Sequence, residues 1–305
     1  MNEIATVPSR AGREQSSAGL ICALGAFFWW GLVPVYFKAV AQIDPLEVLA
    51  HRVVWSATLL TALLAFKQGL RPLFADLRRL HALGFYCLTG VLLSANWLVF
   101  IWAIASERLL EASLGYYITP LISVLLGLIF LGERLNRRQW VAVAIAGAGV
   151  AYQLVGHGSL PWVSLFLALS FGTYGLLRKK AGSDPTRGLL IETLLMTPVA
   201  LLYLGVVEWR GSGVFGHLGW RMDWLLVFSG VATSVPLILF LEGVQRIRLV
   251  TAGLIQYLTP TLQLLLAVWI YREPFSDAQG VTFVLIWAAL AIYTLDAFRA
   301  RDSAT

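Results

Sequence analysis

SLGYYITPLISVLLGLIF (113–130) is an apolar stretch interrupted by Thr119-Pro120, and GLIQYLTPTLQLLLAVWI (253–270) repeats its design with Thr259-Pro260 at the matching place. Each carries a tyrosine two residues before the threonine, Tyr117 and Tyr257, and each reaches a glutamate just beyond, Glu133 and Glu273. A proline removes a backbone donor and costs about 3 kcal/mol in an ordinary helix interior. That cost recurs at matching positions, which points to one design used twice.

The same offset, 140 residues, runs along the whole chain without a gap. Asp44-Pro45 falls on Asp184-Pro185, Ser94 on Ser234, Arg108 on Arg248 and Gln139 on Gln279. Apolar sequences share leucine and valine by chance, so the matched Asp-Pro, Thr-Pro, Glu and Arg carry the inference of an internal duplication.

Of 305 residues, 58% are hydrophobic and 13% charged, far from the averages of soluble domains. A bilayer core about 30 Å thick takes roughly 20 apolar residues to cross as a helix. Ten such windows are read near 19–40, 47–66, 82–104, 112–131, 140–155, 161–177, 188–207, 224–244, 251–270 and 279–298. They are apolar on every face, whereas the strands of a membrane barrel alternate with period two. Each half then holds five spans, and an odd number turns the second copy over relative to the first. The expected fold is an all-α membrane protein with ten transmembrane helices in two inverted five-helix repeats. Its expected parts are a tail over 1–18, repeats over 19–155 and 156–298, and a tail over 299–305, both tails cytoplasmic. Arg10 and Arg13 precede the first span as in a signal peptide, but the apolar run is too long and lacks a clear cleavage site, so it is expected to stay.

The net charge of +6 needs no nucleic acid to account for it. With both termini cytoplasmic, most lysines and arginines fall on the inner side, among them Arg78, Arg79, Arg137, Arg138, Lys179 and Lys180. Lys38, Arg108, Arg210, Arg221 and Arg272 fall outside, which is the positive-inside distribution. The partners expected are the lipid bilayer, a small-molecule substrate, and a proton or counter-substrate. Cys22 and Cys87 lie inside spans and are read as packing residues; neither a disulfide, a metal site nor a cofactor is expected.

HRVVWS (51–56), NWLVFIWA (96–103), LEASLGYYITPL (110–121), YGLLRKK (174–180), LLIETLLMTPVA (189–200) and QYLTPTLQLLLAV (256–268) together resemble the RarD proteins of bacteria. That group belongs to the EamA branch of the drug/metabolite transporter superfamily, and the resemblance covers nearly the whole chain. It implies ten helices in two inverted repeats and a transporter of the bacterial inner membrane, commonly an exporter of small organic metabolites. RarD proteins commonly show Asn-Pro or Gly-Pro where this chain has Thr-Pro. The departure keeps the proline and changes the side chain before it.

An ionisable residue inside a span is a functional candidate by default, since a charge at a helix centre costs about 2.5 to 3.5 kcal/mol on insertion scales. The repeat places Arg52 opposite Glu192, each roughly 10 Å in from its Asp-Pro at 1.5 Å per residue. Three readings stand for them: a structural ion pair, direct or through water; gate charges; or a site where Arg52 attracts an anionic group and Glu192 serves a cationic group or a proton. His51 neighbours Arg52 and is a candidate proton relay. Asn96 is suited to bond a ligand or a neighbouring helix. Trp30, Trp97 and Tyr174 belong to the central aromatic inventory. Tyr117 and Tyr257 are candidate cavity residues one turn before the kinks at Pro120 and Pro260, and the kinks themselves are read as a hinge or cavity lining. Glu133 and Glu273 read as end anchors beside arginines. RPLFADLRRLH (71–81) reads as an amphipathic stretch on the cytoplasmic surface, and GSGVFGHLG (211–219) as a flexible outer loop.

The favoured function is a secondary transporter working by alternating access, its two halves rocking about a shared cavity. An intramembrane enzyme is the alternative, but no HExxH, GxSxG or Walker loop is present. A receptor or scaffold is a third reading, and it leaves the duplication without a mechanical purpose. The topology has a direct check. A reporter active only in the cytoplasm is expected to work when fused after residue 182 or at the C-terminus and to stay silent after residue 212; activity at all three sites contradicts the inverted plan.

Overall fold

The computed structural model describes residues 17–302 apart from 68, 70, 78–79, 107–108, 156–161, 271 and 273–276. Helices α1 (Ser17–Ala39), α2 (Pro45–Lys67), α4 (Leu80–Ala105), α5 (Leu109–Leu131) and α6 (Arg137–Val155) form the first half, with a short α3 (Arg71–Leu77) between α2 and α4. The second half holds α7 (Trp162–Ala181), α8 (Pro185–Trp209), α9 (Trp220–Arg246), a broken span made of α10 (Leu249–Ile255), α11 (Leu258–Leu265) and a π turn (Leu266–Ile270), and α12 (Asp277–Asp302). Seven of these spans are long and apolar enough to cross a bilayer by length and composition. Helices α6, α7 and α12 complete ten, and no strand occurs among the described residues. The expected N-terminal tail lies outside the described residues except for Ser17 and Ala18, which already belong to α1. On the C-terminal side α12 continues as helix to Asp302.

The starts of the helices reproduce the offset in the sequence: Pro45 and Pro185, Leu80 and Trp220, Leu109 and Leu249, Arg137 and Asp277. The repeated Asp-Pro is a helix-start signal. Asp44 Oδ1 accepts from the N–H of Leu46 at 2.8 Å and Asp184 Oδ1 from that of Arg187 at 2.7 Å, each followed by a proline whose missing N–H is lost at no cost in the first turn.

Equivalent helices lie side by side and run in opposite directions. The Tyr257 hydroxyl donates to the carbonyl of Tyr117 at 3.2 Å while Gly253 faces Pro120 and Val124, so α10 runs antiparallel to α5. Tyr203 near the end of α8 donates to Asp44 at the start of α2, and Asn136 and Gln139 at the start of α6 donate to Asp296 near the end of α12. Three antiparallel equivalent pairs define a two-fold axis across the helices, which is the inverted arrangement. Helix α1 packs on α9 and α11, and α7 packs on α4 and α5. Each spanning helix therefore finds its principal neighbour in the other half.

Close approach depends on small residues. A Cβ on Gly230 would lie 2.6 Å from the backbone carbon of Trp55, where α2 crosses α9, and one on Gly253 would lie 2.7 Å from the carbonyl oxygen of Pro120.

The two Thr-Pro sites differ. Helix α5 runs unbroken through Pro120, with Thr119 Oγ1 donating to the carbonyl of Gly115 four residues back at 2.6 Å. At the equivalent place the chain turns at Gln256–Tyr257 and restarts, and Thr259 Oγ1 donates across to the carbonyl of Phe27 in α1 at 2.9 Å. The carbonyl of Gln256, four residues before Pro260, accepts from the N–H of Thr259 instead. One kink is a bend and the other a break.

Three further expectations are refined. Glu133 acts chiefly as a helix cap: its carboxylate accepts from the N–H groups of Leu249 and Val250 at 2.6 and 2.8 Å, at the positive end of α10, with Arg248 more distant at 4.0 Å. Glu273 lies outside the described residues. The expected flexible loop is pinned: Val214 N–H donates to Glu47 at 2.7 Å, Gly216 N–H to Asp223 at 2.8 Å, and His217 pairs with Glu208 at 2.9 Å. In α3, Leu73 is buried and Asp76 pairs with Arg187 of α8 at 3.1 Å, so this stretch docks on the bundle.

Replacing Gly230 by alanine is expected to force α2 and α9 apart and to lower stability by about 1 to 3 kcal/mol. Chemical unfolding in detergent checks this; an unchanged midpoint would mean that the crossing yields freely.

Candidate functional site

A cavity of about 100 Å³ lies between the halves, toward the end of the bundle where α1 finishes and α2 begins. Its aromatic wall comes from Trp30 and Phe37 of α1, Trp97 and Phe100 of α4, Tyr116 of α5 and Phe171 of α7. Polar groups enter from Arg52, Asn96, Thr119, Thr233 and Gln256. Both halves contribute, and two equivalent pairs, Tyr116 with Gln256 and Trp97 with Leu237, face the same space.

Arg52 is the one charged side chain among the described lining residues. Its Nε donates to Thr233 Oγ1 at 2.8 Å, and its guanidinium stacks over the Trp97 ring at 4.7 Å and the Phe37 ring at 5.5 Å. A cation on an aromatic face gains about 0.5 to 2 kcal/mol, more as water is excluded. No carboxylate among the described residues pairs with it. Asn96 donates through Nδ2 to the carbonyl of Leu167 at 2.9 Å and to Ser170 Oγ at 2.8 Å, fixing α4 to α7 beside the cavity.

Glu192 belongs to a different cluster, at the end where α7 finishes and α8 begins. It is 1% exposed, and it accepts from Thr89 Oγ1 at 2.6 Å and from the Tyr174 hydroxyl at 3.1 Å. Arg178, 0% exposed, brings Nε to 3.7 Å from Glu192 and lies over the Tyr86 ring at 5.6 Å. Its terminal nitrogens donate to Ser183 Oγ and to the carbonyl of Pro185, each at 3.3 Å. Gly188 makes the space: a Cβ there would lie 2.1 Å from Arg178 Nη1. The cluster is a filled counterpart to the open Arg52 site.

Of the residues singled out in the sequence, Arg52, Asn96, Trp97 and Trp30 meet at the cavity. Of the three readings of Arg52 and Glu192, the structure does not form the direct ion pair: Arg52 bonds Thr233, whereas Glu192 is held by Arg178, Thr89 and Tyr174. Tyr174 serves Glu192. Tyr117 and Tyr257 are buried against each other and Phe283 and do not line the cavity. His51 is buried under Phe215 of the pinned loop, ring centroids 5.2 Å apart, with no hydrogen-bond partner at Nε2. Pro120 and Pro260 follow the lining residues Thr119 and Gln256 without lining the cavity themselves. Tyr116, Thr233 and Gln256 were the less obvious members. The match of Tyr116 with Gln256 under the offset is the signal that marks those two, though the change of residue type conceals it; Thr233 is matched by Leu93 and carries no such signal.

The EamA-like transporter family matches residues 17–154 and again residues 160–295. A Vibrio cholerae protein named "Uncharacterized transporter" is 43% identical over 292 residues, covering 96% of this chain and 97% of its own. "Protein RarD" of Escherichia coli K12 is 42% identical over 284 residues, covering 93% and 96%. "Chloramphenicol-sensitive protein RarD" of Pseudomonas aeruginosa is 32% identical over 289 residues, with the same coverages of 93% and 96%. A solved structure titled "Crystal structure of protein" has the same fold, with a TM-score of 0.73 at 20% identity over 93% of this chain and 99% of that one.

Gly188→Ala is expected to displace Arg178, and Glu192→Gln to leave its charge unmatched; breaking a buried pair from one side costs about 3 to 5 kcal/mol. Thermal unfolding in detergent should show a large loss for each and a double-mutant loss smaller than the sum, because both changes break one interaction. Additive losses would separate Gly188 from the ion pair.

Proposed function

The chain belongs to the EamA-like transporter family, and from that premise we propose a secondary-active transporter that moves small organic metabolites or drugs out of the cell by alternating access. The observation that carries this reading is the cavity between two antiparallel halves, with an uncompensated Arg52 at one end of the bundle and the packed Arg178–Glu192 cluster at the other. We take residues 19–155 and 156–298 as the repeats, with the tails 1–18 and 299–305 in the cytoplasm of a bacterial cell and the helices in its inner membrane. In that orientation α1 runs outward, so the Arg52 cavity lies toward the outer side and the Glu192 cluster toward the inner side. Arg52, Asn96, Trp97 and Trp30 then contact substrate, while Glu192 and Tyr174 act as the inner gate. Exchange or an ion gradient, with a proton as the first candidate, supplies the energy, since the sequence holds no nucleotide-binding motif. The outward direction rests on the resemblance to exporters.

The moving bodies are not the two repeats rocking as units. Helices of each repeat pack chiefly on helices of the other, so a rigid repeat has no free surface on which to pivot. Motion is instead assigned to mixed groups, with the break at Gln256–Tyr257 as a hinge in α10–α11.

Purified protein in liposomes, offered a metabolite and drug panel with and without an imposed proton gradient, is the test. Gradient-dependent accumulation is expected, and both Arg52→Gln and Glu192→Gln should abolish it when equal amounts of folded protein are reconstituted. Accumulation indifferent to the gradient excludes proton coupling. Unchanged uptake in both variants removes the two residues from the mechanism, and no flux of any compound rejects transport.

A further inference from the structure

We infer that the cavity takes a small monocarboxylate whose remaining part is apolar and bears no cationic group; this deepens the transporter reading above to a substrate class. The charge balance comes first. Arg52 contributes one positive charge, and among the described lining residues no acid opposes it. A single carboxylate neutralises the site. A dianion leaves a surplus charge in surroundings of low dielectric, and an amine meets the guanidinium with like charge.

The guanidinium geometry comes second. Arg52 has five N–H donors, of which Nε–H is committed to Thr233. Its Cζ lies 4.7 and 5.5 Å from the Trp97 and Phe37 ring centroids, and the other four donors are on the edge carrying the two terminal nitrogens. That edge is the fork that matches the two oxygens of a carboxylate.

The walls come third. Trp30 and Phe171, in edge contact at 5.5 Å, together with Val33 and Leu237, add carbon surface to the cavity wall. An ammonium placed there finds no carboxylate among the described lining residues, so a zwitterion has only ring faces and neutral oxygens to offset its desolvation and the plain acid is preferred. Size is the last constraint. At about 100 Å³ the space is smaller than the roughly 150 Å³ apolar cavity that admits benzene, so the apolar part must be smaller than a six-carbon ring, and an acid with a branched four-carbon tail is the probe.

The experiment compares 3-methylbutanoate with its isosteres 3-methylbutanamide and 3-methylbutylamine, and with leucine, on the full-length protein in detergent. Tryptophan fluorescence, to which Trp30 and Trp97 contribute among twelve tryptophans, reads binding, and a thermal shift confirms it. The acid is expected to bind at least ten-fold more tightly than the amide, with the amine and leucine weaker than the acid. In Arg52→Gln the acid-to-amide preference should fall below two-fold while amide affinity is unchanged. Equal binding of acid and amide by the unaltered protein overturns the inference without any variant, as does tighter binding of the amine or leucine. Persistence of the preference in a folded Arg52→Gln protein also overturns it. Counterflow of 3-methylbutanoate and the metabolite panel in liposomes separates the two claims: flux of other compounds without acid preference sinks the substrate class alone, whereas acid preference without flux of any compound sinks transport and leaves the binding class standing.

Discussion

Neither half of this chain can complete its own packing. In lipid, helices gain little from burying apolar surface against one another and associate through close backbone approach, polar contacts and shape. Here those contacts run between halves: α2 on α8 and α9, α5 on α7 and α10, and α6 on α12. Glycine permits the approach at Gly230 and Gly253, and Glu133 of the first half caps α10 of the second. In return, Thr259 of the second half donates to the carbonyl of Phe27 in α1 of the first. The cavity is a product of this mutual dependence, since its walls come from helices that are neighbours only because the halves interlock.

The duplication supplies one scaffold with two ends, and substitution has made the ends unlike. At one end a cation sits among aromatic rings beside empty space. At the other, Arg178 and Tyr174 fill the space around Glu192, where their counterparts under the offset are Lys38 and Pro34. Thr89, which donates to Glu192, is matched by Ser229, whose hydroxyl turns to the carbonyl of Leu226 in its own helix. A symmetric backbone thus carries an asymmetric set of charges, which is what a path with distinct inner and outer gates requires.

Much of the fold was legible because the repeated residues are expensive ones. Asp-Pro marks the starts of α2 and α8 by capping, and Thr-Pro marks the span where the halves cross. Span ends moved by a few residues, because apolar composition does not say where the capping group sits. The site was harder to read. Arg52, Asn96, Trp30 and Trp97 were found by charge and by aromatic character, but Tyr117, read as a cavity residue, is buried elsewhere while its neighbour Tyr116 lines the cavity, since adjacent residues on a helix point about 100° apart. Arg52 and Glu192 do not pair, because each is held by a different helix: Arg52 by Thr233 of α9 and Glu192 by Arg178 of α7. Their true neighbours, Thr233 and Arg178, come from other helices and leave no mark at the matched offset. The pinned loop at 211–219 was read from its glycines, whereas its order comes from Glu47, Asp223 and Glu208.

The interlocking of the halves also governs how the molecule is made. Helices enter the bilayer in order from the ribosome, so α1, α2 and α5 are inserted before α7 to α11 exist. At about 5 to 20 residues per second the remaining synthesis lasts on the order of ten seconds. Throughout that interval Arg52 lacks Thr233, and the glycine-lined grooves lack their occupants. A slowly translated or truncated nascent chain is therefore a natural substrate for the cell's membrane chaperones and proteases.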